Sequence, residues 1–313
     1  MPGGLPYTAT LLGVKQVYPG RYVPDTLMQL IAKEGVTFSH CVPTLLQMML
    51  SAPSAAHVDL SRWKLIIGGS ALPKALCQAA LDRGIDIRTG YGMSETCPIL
   101  CIATLKPELI EEPGSDVYFR VKAGLPIPLV DLRIVDFDMN DLPHDGSAAG
   151  EVVVRAPWLT QGYYKNPEAS ENLCAGGYLH TNNIGTIDTN GYLQVTDRMK
   201  DVIKTGGEWV SSLQLEDIIL LHRSVSEVAV IGVEDAKWGE RPMAIVVLHG
   251  AAPADEADIK AHVMQHAERG VISKYAVPAY IRFVETIDKT SVGKINKKAL
   301  RERYATDANP VLS

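Results

Sequence analysis

The chain has 313 residues, of which 46% are apolar and 21% are charged, so a packed globular protein of about two domains is expected. Its formal net charge of -6 excludes attraction of the whole molecule to nucleic acid or to anionic lipid. The five cysteines contain no C-x-x-C pair, which predicts reduced thiols rather than a disulfide framework or a zinc site.

The sequence contains no apolar run long enough to span a bilayer. Its start, MPGGLPYTATLLG, lacks the basic region and the cleavage site of a secretory signal. We therefore expect a cytoplasmic protein without a transmembrane segment and without a nucleic-acid partner.

From residue 36 to residue 94, short apolar runs alternate with amphipathic stretches. In chain order these are VTFSHCV, TLLQMML, KLII, PKALCQAAL and IDIRT. The pattern predicts strand, helix, strand, helix, strand, which is typical of parallel strands joined by crossover helices. The fold class predicted here is α/β with a partial parallel sheet. Pro73 suits the first turn of the second helix, and Ser70 is a candidate N-cap.

Two glycine-bearing turns follow neighbouring strands of this predicted sheet, GGSALP after KLII and GYGMSET after IDIR. Ligands of open parallel sheets bind at the carboxyl ends of the strands, so the two turns predict a shared cleft. In YGMSET, glycine allows close approach of the backbone, hydroxyls can donate to phosphate oxygens, and Glu95 could ligate a hard cation. Alone, this hexapeptide is equally compatible with an ordinary capped turn.

Between about residue 121 and residue 196, alternating apolar and polar residues with tight turns predict a small antiparallel sheet or β-barrel. Asn190-Gly191 predicts a two-residue hairpin within it. Beyond it, Ser211 and Gln214 form a candidate capping box. Strands at EVAVIGV, AIVVL and AYIRFV, with helices near residues 255–268 and at NKKALRERY, complete a predicted α+β unit.

These changes of pattern predict four regions. They are a partial α/β subdomain at residues 1–120, a β-barrel-like subdomain at 121–197, a hinge segment at 198–203 and a mobile α+β lid domain at 204–313. The stretch TDRMKDVIKTGG around the hinge is charged and ends on paired glycines, which is typical of a segment that bends. Farther on, Lys294 follows a glycine and could act as a movable charge on a carboxylate or phosphate. Taken alone, that lysine-rich segment would rather be a solvated face.

Six motifs occur together along the chain. They are GGSALP, GYGMSETCP, QGYYKNPEAS, the run from GYLHTNNIG to TGGEWVSS, VAVIGVEDAKWGERPMAIVV and KTSVGK. Their order and spacing resemble the adenylate-forming acyl-CoA synthetases, in particular the medium- and long-chain fatty acyl-CoA ligases, over essentially the whole chain. The resemblance implies a fatty acid or other carboxylic acid as substrate, with ATP/AMP, Mg²⁺ and coenzyme A as cofactors. In that family ATP and the acid give an acyl-adenylate and pyrophosphate, and the coenzyme A thiol then displaces AMP to form a thioester.

The resemblance also implies roles for individual residues in the first part of the chain. Glu95 would hold Mg²⁺, and Ser94 or Thr96 would contact the α-phosphate. The residues expected around the adenine are Gly68, Gly69, Ser70 and Tyr91, and Gly92 is also expected to bind the cofactor. The residues expected near the acyl channel are Val42, Pro43, Thr44 and Met93, although a Val-Pro pair after a strand is more often simply a strand end.

In the second part, Arg198 would contact the ribose and Lys200 would be the hinge of the carboxyl-terminal domain. Lys294 would stabilise the transition state of adenylation. The residues expected on the face that serves thioester formation are Lys204, Gly206, Gly207 and Glu208. For Lys200 and Lys204, exposed surface lysines remain the alternative. His40 and His180 have no partner that the sequence indicates, and structural roles are expected for both.

Two departures from the family pattern affect the expected activity. The family carries a Ser/Thr/Gly-rich phosphate loop that ends in lysine, and none occurs in these 313 residues. We therefore expect an amino-terminally truncated member with an incomplete sheet, which would also allow self-association into a homo-oligomer. The motif HTNNIG places Asn183 where the family has the aspartate that accepts hydrogen bonds from both ribose hydroxyls. Asparagine offers one acceptor oxygen and no charge, so nucleotide binding should weaken by roughly tenfold or more.

Three functions follow from these observations. The first is a fatty acyl-CoA ligase whose activity is impaired in this chain. The second is a fragment that binds nucleotide or acyl-CoA without ligase activity. The third is a repurposed hydrolase of acyl esters or thioesters, which is disfavoured because the sequence has no G-x-S-x-G elbow.

Overall fold

The computed structural model describes residues 4–110, 115–136, 138–206, 208–250, 254–289 and 295–304. These residues form two compact units. The first contains the described residues up to Thr181 together with Gly185–Val195. The second contains Asn182–Ile184 and the described residues from Thr196 onward.

A mixed sheet with the order β1-β2-β3-β4-β5 organises the first unit. Its strands are β1 Phe38–Cys41, β2 Lys64–Ile67, β3 Asp86–Gly92, β4 Ile99–Ile102 and β5 Leu125–Pro126. The first three strands pair in parallel, as their apolar runs predict, whereas β4 and β5 pair antiparallel. The predicted alternation of strands and helices between residues 36 and 94 is therefore confirmed.

Most helices of the first unit bury apolar residues, whereas Leu5–Leu11 has no buried residue. Those of the first unit are α1 Leu5–Leu11, α2 Pro24–Glu34, α3 Pro43–Leu50, α4 Lys74–Asp82, α5 Asp116–Arg120 and α6 Pro167–Leu173. Leu46 of α3 and Cys77 of α4 are fully buried against Ile67 and Ile87 of the sheet. The predicted cap of α4 is wrong: Pro73 is itself the N-cap residue, and no side chain caps this helix.

A second sheet has the open order β6-β7-β8-β9, so the predicted region is a sheet and not a closed barrel. Its strands are β6 Asp131–Val135, β7 Gly150–Arg155, β8 Leu179–Ile187 and β9 Leu193–Arg198. The predicted two-residue hairpin at Asn190-Gly191 is also wrong, because β8 and β9 are separated by residues 188–192. The Asp188 carboxylate accepts the amides of Asn190 and Tyr192, and these bonds stabilise a longer loop.

The second unit is built on a sheet with the order β11-β10-β13-β12, and β14 pairs with β13. Its strands are β10 Ile203–Thr205, β11 Glu208–Val210, β12 Val225–Asp235, β13 Gly239–Leu248 and β14 Tyr280–Phe283. Its helices are α7 Ser212–Leu220, α8 Glu256–Glu268 and α9 Lys297–Tyr304. The α+β class predicted for this region is confirmed.

The predicted capping box of α7 is half present. The Ser211 hydroxyl oxygen accepts the amide of Gln214, but the Gln214 side chain donates to the carbonyl of Val271. The longest helix among the described residues, α8, has 13 residues. No helix in that part of the chain is long and apolar enough to cross a membrane.

The cysteines provide a first testable prediction. All five cysteines are free, and Cys97 and Cys174 are exposed. Burial raises the pKa of the Cys41 and Cys101 thiols to about 12 and that of the Cys77 thiol to about 11. Because the thiolate is the reactive form, iodoacetamide at about pH 8 should alkylate Cys97 and Cys174 at least about tenfold faster than the others. Mass spectrometry of native and urea-unfolded protein checks this. Early alkylation of Cys101 in the native protein would contradict the packing.

Candidate functional site

The carboxyl ends of three parallel strands meet at one edge of the first sheet. Gly68 directly follows β2, its amide donates to the carbonyl of Cys41 at the end of β1, and a Cβ at Gly68 would lie 3.4 Å from the carbonyl oxygen of Gly90 in β3. Gly69 has a φ of +84° and is exposed, as is Ser70. The structure therefore brings the two predicted turns to the same edge and leaves the backbone of the first accessible to a ligand.

His40, in β1, packs against Gly68 at this edge of the sheet. A Cβ at Gly68 would lie only 2.8 Å from the His40 Nε2 atom, so a larger residue at position 68 would collide with the ring. Burial lowers the pKa of His40, which favours the neutral imidazole. The structural role expected for this histidine agrees with its packing against the turn.

The second turn begins later than its sequence suggests, because Tyr91 and Gly92 are the last residues of β3. Tyr91 pairs with Cys101 of β4, and a Cβ at Gly92 would lie 1.7 Å from the carbonyl oxygen of Pro98. Only glycine allows β3 to pass this close to the returning chain. Gly92 therefore sets the sharp reversal that carries residues 93–96.

The residues Ser94–Thr96 form a short 3₁₀ helix after this reversal. Thr96 is fully buried, and its hydroxyl oxygen accepts the Met93 amide and lies 2.7 Å from the Pro98 carbonyl oxygen. Ser94, by contrast, is exposed. Of the two hydroxyls predicted to contact phosphate, that of Thr96 is thus engaged in closing the turn.

Glu95 is held by a loop that the sequence did not connect with it. Its side-chain Oε1 accepts the hydroxyl of Tyr163 at 2.9 Å, and its carbonyl accepts the amide of Thr160. Burial raises the pKa of Tyr163, and the Glu95 carboxylate raises it further. The motif QGYYKNPEAS was recognised, but a hydroxyl 68 positions away in sequence gives no local signal of its partner.

The residues predicted for the acyl channel occupy different environments. Val42 is exposed, and a Cβ at Gly69 would meet its Cγ1 atom at 3.5 Å, so it lies beside the first turn. Pro43 is buried as the first residue of α3, whereas Thr44 is exposed. Met93 is half-buried between β3 and the 3₁₀ helix.

In the second unit, Asn183 is half-buried in β8 and follows Asn182, which has a φ of +54°. Asparagine tolerates this left-handed conformation better than most residues. The carbonyl of Asn182 accepts the amide of Met199, so this part of β8 is bonded to the segment that carries Arg198 and Lys200. Both of these cations are exposed.

The predicted thioester face lies on the β10–β11 hairpin. The amide of Lys204 donates to Glu240 at 2.8 Å, and its ammonium lies 6.0 Å from the centre of the Trp209 ring. Gly206 has a φ of +61°, and a Cβ there would meet the Trp238 ring at 3.2 Å. Glu208 is exposed. Gly207 and Lys294 lie outside the described residues.

His180 has partners that the sequence did not indicate. Its Nδ1 atom lies 2.9 Å from the Glu151 carboxylate and its Nε2 atom 3.2 Å from the Ala175 carbonyl oxygen. These contacts join β8 to β7 and to the turn before β8. They support the structural role expected for this histidine.

Comparison with protein families identifies two matches. Residues 4–164 match the AMP-binding enzyme family, and residues 214–294 match the AMP-binding enzyme C-terminal domain. The first match contains both glycine turns and Glu95; the second begins within α7.

Several acyl-CoA ligases align with nearly the whole chain. The long-chain-fatty-acid–CoA ligase of Thermus thermophilus is 41% identical over 304 residues, which are 96% of this chain and 55% of the relative. The medium-chain-fatty-acid–CoA ligase of Ectopseudomonas oleovorans is 32% identical over 305 residues, with the same two coverages. The chain thus spans about half the length of these relatives.

Solved structures show the same fold. The crystal structure of ATP-bound MatB from Rhodopseudomonas palustris matches with a TM-score of 0.75 and 26% identity over 96% of this chain and 57% of that one. The o-succinylbenzoate CoA synthetase of Bacillus subtilis, in complex with its acyl-adenylate intermediate, matches with a TM-score of 0.74 and 25% identity over 94% and 57%. The chain therefore belongs to the AMP-binding enzyme family, which confirms its sequence-based identification with the adenylate-forming acyl-CoA ligases.

Proposed function

We propose that this chain carries out the nucleotide-binding part of a fatty acyl-CoA ligase reaction. In that reaction a carboxylate oxygen attacks the α-phosphate of ATP and expels pyrophosphate; the thiol of coenzyme A then attacks the acyl carbonyl and expels AMP. The observation that supports it is the meeting of two glycine turns at the carboxyl ends of adjacent parallel strands, within the residues that match AMP-binding enzymes.

The first unit supplies groups suited to a nucleotide. The exposed backbone at Gly69 and Ser70, next to Gly68, offers close approach to a flat adenine, with Tyr91 and Gly92 on the adjacent strand. We assign the α-phosphate contact to the exposed hydroxyl of Ser94, because that of Thr96 closes the turn. These contacts would be made by neutral donors, which do not repel the incoming carboxylate.

We assign to Glu95 the role of holding Mg²⁺ beside these phosphates. Proteins commonly bind Mg²⁺ through one or two carboxylates together with substrate phosphates, so a single glutamate on this turn fits the ion. When bound, the ion would neutralise charge on the phosphates. The Tyr163 hydroxyl, which donates to Oε1, would fix the orientation of the carboxylate that would hold the ion.

Replacing Tyr163 with phenylalanine tests this orientation. We expect the gain in ATP affinity on adding Mg²⁺ to fall by about threefold, because one hydrogen bond to a carboxylate is lost. Calorimetric titration of ATP with and without Mg²⁺ measures that gain. Tyr164→Phe is the matched control, since Tyr164 is 89% exposed; an equal loss in both variants would contradict the role of Tyr163.

For the second unit, we assign Arg198 and Asn183 to the ribose and Lys200 to the hinge at residues 198–203. Lys294 would act on the adenylation transition state, and Lys204, Gly206, Gly207 and Glu208 would serve the step with coenzyme A. We also propose the regions 1–120, 121–197 and 204–313, a cytoplasmic location and a homo-oligomeric state. The residues proposed for the acyl channel are Val42, Pro43, Thr44 and Met93.

Two measurements on the 313-residue polypeptide test the function. Calorimetry should detect AMP binding, weakened by Asn183. With ATP, Mg²⁺, fatty acid and coenzyme A, AMP formation should be slight, because these residues include no phosphate loop to hold the leaving pyrophosphate. Binding without turnover supports the nucleotide-binding assignment for this polypeptide. Turnover at a rate typical of acyl-CoA ligases would refute the proposed impairment, and absence of AMP binding would refute the assignment itself.

A further inference from the structure

Helix α9 presents two cations to the segment around Arg198. Lys297 and Arg301 are four residues apart and therefore lie on the same face of the helix. The Lys297 ammonium donates to the Ser212 hydroxyl oxygen at 2.6 Å and lies 2.7 Å from the Glu216 carboxylate. The Arg301 guanidinium donates to the Asp201 carboxylate at 2.9 Å.

The contact through Lys297 continues to the backbone amide of Arg198. Ser212, the first residue of α7, donates its amide and its hydroxyl to Oδ2 of Asp197, at 2.6 and 2.7 Å. Asp197 is 1% exposed, and its Oδ1 accepts the amide of Arg198 at 2.7 Å. Lys297, Ser212 and Asp197 thus form one continuous chain of hydrogen bonds that ends on Arg198.

The contact through Arg301 reaches the other backbone group of the same residue. The carbonyl of Arg198 accepts the amides of Asp201 and Val202, at 2.8 and 2.9 Å. Arg301 in turn holds the side chain of Asp201. Both backbone groups of Arg198 are therefore fixed by bonds that lead to α9, while its side chain remains exposed.

Stability alone gives little reason for this arrangement. The side chains of Lys297 and Glu216 are only 10% and 9% exposed, and Glu216 also accepts the amide of Val230. Burial raises the pKa of Glu216, and the Lys297 ammonium opposes that rise. A buried ion pair often stabilises a protein no more than apolar side chains of the same size would, but it specifies geometry.

We propose that Lys297 and Arg301 are positioning residues that hold the backbone of Arg198, so that its guanidinium is presented to the ribose of the nucleotide. The clamp formed by Lys297, Ser212, Asp197, Asp201 and Arg301 is present in the structure. Its consequence for ribose recognition rests on the proposed function.

Hydrogen exchange tests the clamp without any ligand. In Lys297→Met, the amides of Arg198 and Val202 should exchange about tenfold faster, measured by mass spectrometry on peptides that cover residues 196–204. Lys297→Arg should retain slow exchange. Lys298→Met is the matched control, because the next side chain of α9 is 83% exposed. Unchanged exchange in a folded Lys297→Met protein would overturn the clamp.

Nucleotide titration tests the positioning role. AMP affinity should fall about three- to tenfold in Lys297→Met, whereas affinity for 2′,3′-dideoxy-AMP, which lacks the ribose hydroxyls, should change little. If Lys297→Met does not fold, Arg301→Gln takes its place, since the Arg301 side chain is 31% exposed whereas that of Lys297 is 10% exposed. Equal loss for both nucleotides would overturn the positioning role. Failure of the unaltered protein to bind AMP would refute the proposed function, and hydrogen exchange would still decide whether the clamp exists.

Discussion

Replacing Asn183 with aspartate is expected to tighten AMP binding by about tenfold. A carboxylate can accept hydrogen bonds from both ribose hydroxyls and carries a charge that strengthens each bond, whereas the asparagine amide has one acceptor oxygen. Asn183 is half-buried in β8, so the added charge remains partly solvated and the fold should tolerate it. Isothermal titration of AMP into both proteins measures the difference.

The matched control is Asn182→Asp. It adds the same charge one residue earlier, at a position whose left-handed backbone aspartate also tolerates. We expect its AMP affinity to match that of the unaltered protein. Titration with 2′,3′-dideoxy-AMP completes the design, because the gain in Asn183→Asp should disappear with the ribose hydroxyls. A gain that persists with the dideoxy nucleotide would show that Asn183 does not face the ribose.

Replacing Gly92 with alanine should lower the free energy of unfolding by about 3 kcal/mol or more and abolish detectable AMP binding. The added methyl group would lie 1.7 Å from the Pro98 carbonyl oxygen and 2.9 Å from Ile99 Cα, and both are backbone atoms that cannot rotate away. Relief requires that β3 and β4 separate at the turn that carries Ser94 and Glu95. Urea unfolding followed by circular dichroism gives the stability.

Gly250→Ala is the control for this substitution. No described atom lies within 4 Å of a Cβ at Gly250, so its unfolding free energy should stay within about 0.5 kcal/mol of the unaltered protein. If Gly92→Ala is equally stable, the close passage of β3 past Pro98 is not a feature of the folded protein.

Local sequence was sufficient for elements marked by a regular pattern of apolar residues or by a capping residue at a helix end. The apolar runs at KLII and IDIRT alternate with amphipathic stretches, which predicted strands joined by crossover helices, and these two strands pair in parallel. Ser211 was found as an N-cap from residue type and position alone. Ordered motifs over the whole length indicated the family, and the family comparison confirms it.

Local signals failed where a neighbouring side chain competes for the backbone. The Asn190-Gly191 pair is typical of a two-residue hairpin, but the amides of Asn190 and Tyr192 donate to the Asp188 carboxylate, and the loop is longer. The motif YGMSET contains two hydroxyls that could contact phosphate. Only the structure shows that the Thr96 hydroxyl is hydrogen-bonded within the turn. Propensity describes what a segment can do alone, whereas burial decides which hydrogen bonds it must make.

By itself, then, the amino-acid sequence determined the α/β and α+β classes, the alternation of strands and helices between residues 36 and 94, and the family. The tertiary structure alone decided that Tyr163 holds Glu95 and that Lys297 and Arg301 reach the segment around Arg198. These partners are 68 to 100 positions apart in sequence. Apolar residues repeat with the period of a helix or strand, so the sequence indicates which face is buried. A polar pair between residues distant in sequence has no such period, so only the tertiary structure identifies it.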